Sequence, residues 1–327
     1  MTGGAESEIV TAALLVIGDE ILSGRTKDKN IGYVAEYLTN IGIDLKEVRV
    51  VPDEEPEIAA ALEGNRGKRR FCMTGAAEGE IVTAALLVIG DEILSGRTKD
   101  KNIGYVAEYL TNTGIDLKEV RVVPDEEPEI VAALNALRAR YDYVFTTGGI
   151  GPTHDDITAD AVAKAFGVSI GYHSEALEIL RARVAQTGGV MNEARMRMAR
   201  FPAGAELVRN KISAAPGFRI GNVIVMAGVP QIMQAMLEDV APQLRTGAKM
   251  LSETVRADCR EGDIGTELGE IAAAHSGVVI GSYPFMDEKR GANTHVVLRS
   301  RDPQKLAAAK AAVEAMLARV RAELTAG

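Results

Sequence analysis

An internal repeat constrains the fold most strongly, because residues 1–62 recur almost unchanged as residues 73–134. In each copy TAALLVI predicts a strand, GDE a turn, NIGYVAEYL a helix, DLKEVRVV a second strand and EEPEI the start of a second helix. A repeat that occurs only twice indicates a duplication rather than a solenoid. The copies differ at four positions, namely Gly4/Ala76, Ser7/Gly79, Ile41/Thr113 and Ala59/Val131.

Only the second copy continues into a further strand, YDYVFTTGG, whereas the first runs from Leu62 into EGNRGKRRFC, which is typical of a solvated linker. The sequence therefore predicts that residues 1–72 are a partial duplicate with a linker and that Met73 opens the main domain. A segment this small buries too little apolar surface to offset its ordering entropy, so we expect it to be dispensable. If it docks, its near-identity to residues 73–134 would let it compete for the slot beside the strand at residues 144–147, but the shorter chain connection favours the second copy in that slot.

The stretch VFTTGGIGPTHDDIT, residues 144–158, joins an apolar strand to a helix start through a glycine cluster. Glycines let the backbone approach an anion and helix N-terminal N–H groups point toward it, so this order is typical of a phosphate-binding turn. Thr153 is the predicted N-cap, with Asp156 three residues later as a variant of the capping box. Asp155 and Asp156 beside an anion indicate a bridging divalent cation. Helix-initiating acids after an ordinary glycine turn remain the alternative.

Three predicted strands end in glycine turns, at Gly90, Gly148 and Gly228. In open parallel α/β sheets ligands lie beyond the carboxyl ends of the strands, so we expect these turns to converge at one rim. Asp91 and Glu92 would then lie near the two aspartates of the phosphate-binding turn. A purely structural role for these acids, as initiators of a turn or helix, is the alternative.

Residues 172–202 are rich in charged, Ala and Met residues and predict two helices broken at a Gly-Gly pair. Asn192 and Arg195 are three residues apart, so they share a helix face and are candidates to reach an anionic ligand. Arg197 is predicted to point elsewhere. Solvated surface is the alternative for all three side chains.

The composition changes after residue 247, where the remaining segments predict the order strand, helix, strand, strand, helix. Residues 248–327 are therefore predicted to form a small α+β domain. A net charge of −9 without a sustained basic stripe argues against nucleic-acid and membrane-surface partners. Cys72 and Cys259 show no metal-binding or disulfide spacing, so we expect a cytoplasmic protein.

Several separated motifs resemble one known family. TTGGIGPTHDDIT and VIGDEILSGRTKDKN are similar to the MoaB/Mog-type molybdopterin-binding domain, and most closely to the amino-terminal domain of the CinA family. NEARMRMARFPAGAELVRN, APGF and VIVMAGVP resemble that family in the same order. The resemblance implies a three-layer α/β/α domain with a mostly parallel sheet at residues 73–247, followed by the α+β domain.

The resemblance also implies a small-molecule ligand, either a phosphorylated pterin or a nucleotide. Members of the family bind molybdopterin, adenylylate it in molybdenum cofactor biosynthesis, or hydrolyse nucleotide pyrophosphates such as ADP-ribose with a divalent metal. We expect metal-dependent hydrolysis here, with a binding module that lacks turnover, or adenylylation, as the alternatives. A nicotinamide oxidoreductase is disfavoured because GGIGPT lacks the G-x-G-x-x-G spacing.

The residues expected to act follow from these motifs. A divalent metal such as Mg²⁺ would be held by Asp91, Glu92 and Asp156, and the expected catalytic residues are Asp91, Asp155 and Asp156. We also expect a homo-oligomer. The residues expected to bind ligand or phosphate are Thr147, Gly148, Gly149, Gly151, Thr153, Gly228 and Pro230.

Overall fold

A computed structural model describes residues 10–63, 81–213, 215–287 and 291–326. The predicted linker, Cys72 and the boundary at Met73 lie outside the described residues. Residues 10–63 and 82–246 belong to one compact unit, and residues from 247 onward to another. We call residues 10–63 the first copy and residues 82–246 the main domain.

The two copies of the repeat fold alike, since identical apolar runs become strands and identical amphipathic segments become helices. In the second copy, the helix Asn102–Thr113 buries four apolar side chains at helical spacing, namely Ile103, Val106, Ala107 and Leu110. The elements are β1 (Val10–Ile17), α1 (Asp19–Leu22), α2 (Asn30–Asn40), β2 (Ile43–Val51), α3 (Glu55–Leu62), β3 (Val82–Ile89), α4 (Asp91–Leu94), α5 (Asn102–Thr113), β4 (Ile115–Val123) and α6 (Glu127–Arg138).

The rest of the main domain includes the two helices predicted on either side of the Gly-Gly pair, at Ser174–Gln186 and Glu193–Arg197. A 3-10 helix (Ala241–Gln243) ends this part of the chain. The helices and strands of this part are β5 (Tyr143–Thr147), α7 (Thr158–Phe166), β6 (Ile170–Tyr172), α8 (Ser174–Gln186), α9 (Glu193–Arg197), β7 (Arg200–Pro202), β8 (Glu206–Val208), β9 (Gly217–Ile220), β10 (Val223–Met226) and α10 (Pro230–Val240).

The central sheet has the strand order β1-β2-β4-β3-β5-β10-β9-β8, and its middle strands β4, β3, β5 and β10 are parallel. Residues of β3 alternate between two hydrophobic cores, with Leu86 and Val88 in one and Leu87 and Ile89 in the other. A strand buried on both faces is typical of a sheet covered by helices on both sides. The predicted three-layer α/β/α fold with a mostly parallel sheet is confirmed.

The first copy extends this sheet at an edge that the sequence did not indicate. Its strand β2 pairs antiparallel with β4 and does not enter the slot beside β5. The slot beside β5 is held by β3 of the second copy, as the shorter connection predicts, and β10 flanks β5 on its other side. Among the described residues, β4 and β8 are the two edge strands of the main domain's own sheet, and the first copy pairs at β4.

The C-terminal unit has the predicted order of elements and is α+β, as expected. Its three strands form an antiparallel sheet in the order β11-β13-β12, with Ile264, Leu298 and Leu317 in its core. In the described part of the chain, no helix is both long and apolar enough to cross a membrane. The elements are β11 (Leu251–Arg256), α11 (Glu261–Ala274), β12 (Val279–Asp287), β13 (Gly291–Ser300) and α12 (Pro303–Ala326).

Candidate functional site

Three strand ends meet at one rim of the sheet, as the sequence predicted. Strands β3, β5 and β10 are neighbours and are followed by Gly90, Gly148 and Gly228. A Cβ added to Gly148 would lie 2.1 Å from the carbonyl oxygen of Ile89, and one added to Gly228 would lie 3.3 Å from the Cα atom of Gly148. Pro230 begins α10 two residues after Gly228, so the start of this helix adjoins the rim.

Gly148 and Gly149 have φ angles of +104° and +66°, a region that favours glycine. Thr158 holds this turn, because its N–H donates to the Gly149 carbonyl and its hydroxyl donates to the Gly148 carbonyl, each at 3.0 Å. A Cβ on Gly149 would lie 2.1 Å from the Thr158 Oγ1 atom. The fold itself therefore requires glycine at position 149, in addition to any need of a ligand.

The helix after the glycine turn begins at Thr158, so the predicted N-cap at Thr153 was wrong. Residues 153–156 instead form a separate turn, in which the Asp156 carboxylate accepts the Thr153 N–H at 2.8 Å and also the Thr153 hydroxyl. A Cβ on Gly151 would lie 2.6 Å from the Asp156 Oδ2 atom. The spacing of a capping box was present in the sequence, but it closes a loop here rather than a helix.

Asp125, the carboxylate that directly precedes the predicted EEPEI helix start, also lies at the rim. Its Oδ2 atom accepts the Asp91 N–H at 3.0 Å. Burial raises the pKa of Asp125, and the charges of Asp91, Glu92 and Asp155 raise it further against the effect of that hydrogen bond. These four acids are therefore close in space. The sequence signal for this placement is that Asp125 follows shortly after β4. Because β4 runs parallel to β3, both strands end at the same rim.

Asp155 and Asp156 differ in environment. Asp155 is exposed, and its pKa is lowered first by the polar Thr153 side chain, then by a backbone N–H and by the nearby charges of His154 and Arg197. Among residues 10–63, 81–213, 215–287 and 291–326, no three His, Cys, Asp or Glu side chains are arranged to hold a metal. The described residues thus do not form a metal site, and the predicted metal ligands stay a prediction.

Asn102, at the start of α5, is a rim residue that the sequence analysis missed. Its amide nitrogen donates to the Gly228 carbonyl at 2.8 Å, which ties α5 to the third glycine turn. Asp100 orients it by accepting its backbone N–H at 2.9 Å. The Asn102 Oδ1 and Thr147 Oγ1 atoms are buried and have no hydrogen-bond partner among the described residues.

Arg197 lies beside the loop, contrary to the sequence prediction. Its guanidinium donates to the Asp156 carbonyl at 3.3 Å and lines a small cleft with Gly151. Asn192 instead caps α9 by accepting the Arg195 N–H at 2.9 Å, and the Arg195 guanidinium donates to a carbonyl of the preceding loop. The helix is only five residues long, so the face that meets the loop depended on its packing.

Two family models match the chain. Residues 13–76 and 85–246 match the probable molybdopterin binding domain, which covers more than half of the chain. Residues 249–323 match the middle domain of FAD synthase.

Individual relatives agree with these matches. A CinA-like protein of Citrifermentans bemidjiense is 42% identical over 165 residues, 49% of this chain and 40% of that protein. A probable FAD synthase of Caenorhabditis briggsae is 29% identical over 263 residues, 73% of this chain and 50% of that protein. The chain thus spans half or less of the length of these two relatives. The solved protein CinA with unknown function from Thermoplasma acidophilum is 30% identical, with a TM-score of 0.46 over 50% of this chain and 98% of that one.

Proposed function

Since the chain belongs to the family of probable molybdopterin binding domains, we propose that its rim binds a phosphorylated pterin of the molybdopterin type. The family resemblance inferred from the motifs is confirmed by the same match. Two buried polar atoms without partners, Thr147 Oγ1 and Asn102 Oδ1, carry the proposal. Leaving such a group unpaired costs about 1–3 kcal/mol, so a ligand that supplies the missing partner is favoured at this rim.

The glycine turn suits the phosphate. Within the described residues, the N–H groups of Gly149, Ile150 and Gly151 donate to no protein acceptor, whereas the Gly148 N–H donates to the Met226 carbonyl at 3.2 Å. Successive free N–H groups next to a residue with positive φ form a concave anion site. Arg197 supplies a cation beside this turn. The phosphate would therefore bind to the backbone of residues 149–151, with Arg197 close by.

The carboxylates suit the pterin ring. A pterin carries N–H and NH₂ donors along one edge, and an ionised carboxylate can accept two parallel donors, as it does from a guanidinium. Asp155 is exposed and its lowered pKa keeps it ionised, while Asp91 and Glu92 are exposed at the adjoining turn. A ligand that is anionic at one end and donates hydrogen bonds at the other accounts for acids beside a phosphate turn.

Thr147→Val tests the proposal, because it removes an unpartnered hydroxyl while keeping the shape of the side chain. The free energy of unfolding should stay constant or rise, and affinity for molybdopterin should fall about five- to tenfold, the value of one hydrogen bond. Thr146→Val is the matched control, since that hydroxyl is also buried and unpartnered but successive strand residues point to opposite faces. Titration calorimetry that gives one affinity for all three proteins would contradict the proposal.

Hydrolysis of a nucleotide pyrophosphate such as ADP-ribose is the second candidate, because the motif resemblance implies it and because acids, among them Asp91 and Asp125, lie together at the rim. The divalent metal predicted at Asp91, Glu92 and Asp156 belongs to this candidate. Release of AMP from ADP-ribose that depends on Mg²⁺ or Mn²⁺ would support it, whereas pterin binding without turnover supports the binding module. The remaining alternative, adenylylation of molybdopterin, would be recognised by consumption of ATP. A cytoplasmic location stays a prediction.

A further inference from the structure

The strand pairing between the two copies has two-fold symmetry. β2 runs antiparallel to β4 with Arg49 opposite Arg121, Val48 opposite Val122 and Val50 opposite Val120. Arg121 is the counterpart of Arg49 at an offset of 72, and each valine faces the counterpart of the other valine. A strand paired with its own duplicate in this way makes an isologous contact, the kind that joins identical subunits.

The contacts beside the strands repeat this symmetry. A Cβ on Gly24 would lie 2.4 Å from the backbone nitrogen of Glu108. A Cβ on Gly96, the counterpart of Gly24, would lie 2.5 Å from the backbone nitrogen of Glu36, the counterpart of Glu108. Both glycines have a φ angle of +72°. Each close approach is therefore made twice, with the two copies exchanged.

A second pair of contacts joins the helices α2 and α5 to the loops that face them. A Cβ on Gly32 would lie 3.3 Å from the Cγ atom of Lys99. A Cβ on Gly104, the counterpart of Gly32, would lie 3.4 Å from the Cγ atom of Lys27. The strand, turn and helix contacts are thus all related by one two-fold axis.

This contact buries apolar surface of both copies. Val48, Val50, Val120 and Val122 are fully buried and lie in one hydrophobic core with residues of α2 and α5. Without the first copy, β4 would be an unpaired edge beside newly exposed apolar side chains. Such an edge is a template for pairing with another chain.

The first copy retains the elements that make this contact and lacks the rest of the domain. Val10 and Ile17 at the ends of β1 are 52% and 44% exposed, whereas their counterparts Val82 and Ile89 are 0% and 3% exposed. The difference arises because β3 has β5 as a second neighbour and β1 has none in the described part of the chain. The first copy therefore lacks the counterparts of β5 and β10 that complete the rim, and it retains the strand that covers β4.

We propose that the first copy is a built-in substitute for a second subunit, occupying the β4 edge through which two main domains would otherwise pair. When the β4 edge is free, the β4 strand of a second copy of this chain pairs with it. Its strand would run antiparallel, with Arg121 of each chain at the two-fold axis. The duplication thus converts an intermolecular contact into an intramolecular one.

The full chain carrying Gly32→Trp and Arg49→Pro tests the proposal. Tryptophan at position 32 crowds the facing loop, and proline at position 49 disrupts β2, which is paired with a strand on each side. Both substitutions leave residues 82–246 unchanged. With the β4 edge free, the mass measured by size exclusion with light scattering should double relative to the unsubstituted chain at equal concentration.

A third substitution and a control make the result specific. Adding Gly104→Trp should restore the original mass, because Gly104 would meet Lys99 of the second chain. Ala59→Val, a natural difference between the copies at an exposed position of α3, should leave the mass unchanged. An unchanged mass in the double variant, or a doubled mass that survives Gly104→Trp, would overturn the proposal. Aggregates without a defined mass would also overturn it, since a two-fold contact closes after two chains.

Discussion

Glu119 shows how a residue of the second copy acquires a role that its duplicate lacks. Its carboxylate accepts hydrogen bonds from the Arg121 guanidinium at 2.5 Å and from the Tyr141 hydroxyl at 2.8 Å. Glu47 and Arg49 form the same ion pair in the first copy, but they are more exposed and that copy ends before a counterpart of Tyr141. Because buried charges need further hydrogen bonds to offset desolvation, Tyr141 should matter for stability.

Tyr141→Phe should lower the free energy of unfolding by about 1–3 kcal/mol at neutral pH, because a buried carboxylate oxygen loses its donor. Burial and the charge of Glu119 raise the pKa of Tyr141 well above its usual value. The stabilisation is therefore complete below the unfolded pKa of about 10 and is lost as pH rises through the folded pKa. Urea unfolding should show the gap between the two proteins shrinking above about pH 10.

The control for this prediction is Tyr172→Phe, since Tyr172 is exposed and should make no such contribution. An equal loss of stability in both variants would contradict the role given to Glu119. So would a gap between Tyr141→Phe and the unsubstituted chain that is the same at neutral and alkaline pH.

Individual rim residues were predictable only where they follow a strand directly. Gly90 and Gly148 could be placed because parallel strands end at the same edge of a sheet. Asn102 and Arg197 could not, because α5 and the short α9 reach the rim through the packing of helices across the sheet. Sequence spacing does not indicate which helix end contacts the Gly228 carbonyl.

At the scale of elements, the sequence predicted the strands and helices but misplaced the start of α7. Apolar runs and helical spacing are local properties, so β3, β5 and α5 could be derived from them. The start of α7 depends on a competition between two turns, and the Thr153–Asp156 turn removes those residues from the helix. The glycine turn is instead closed by Thr158, whose side chain and N–H both bond to it.

Gly149→Ala should lower the free energy of unfolding by about 1–3 kcal/mol, because φ is +66° and the added Cβ would lie 2.1 Å from Thr158 Oγ1. The glycine cluster in the sequence by itself predicts that ligand affinity falls before stability, whereas the close approach to Thr158 predicts a direct loss of stability. Gly171→Ala in β6 is the matched control, since an added Cβ meets no atom within 4 Å there. Thermal unfolding at the same temperature for both variants would show that the turn does not require glycine.

At the scale of the whole molecule, the first copy changes what truncation would do. From the sequence alone, a chain beginning at Met73 is expected to work as the full chain does and to aggregate less, because an unpaired edge is removed. Within the part of the chain that the structure describes, the first copy covers β4 and leaves β1 with β2 as its one neighbouring strand. Nothing in the repeat itself indicated this, since two identical strands can pair in either direction and at either edge.

Binding of a phosphorylated pterin at the glycine turn is the central claim, and its most direct test is a titration followed by NMR. The full chain is labelled with ¹⁵N at glycine only, and molybdopterin is added to saturation. We predict that the amide signals of Gly149 and Gly151 shift, while those of Gly262 and Gly265 on α11 stay in place. Signals of the glycine turn that do not move at saturation, or shifts confined to α11, would contradict the claim.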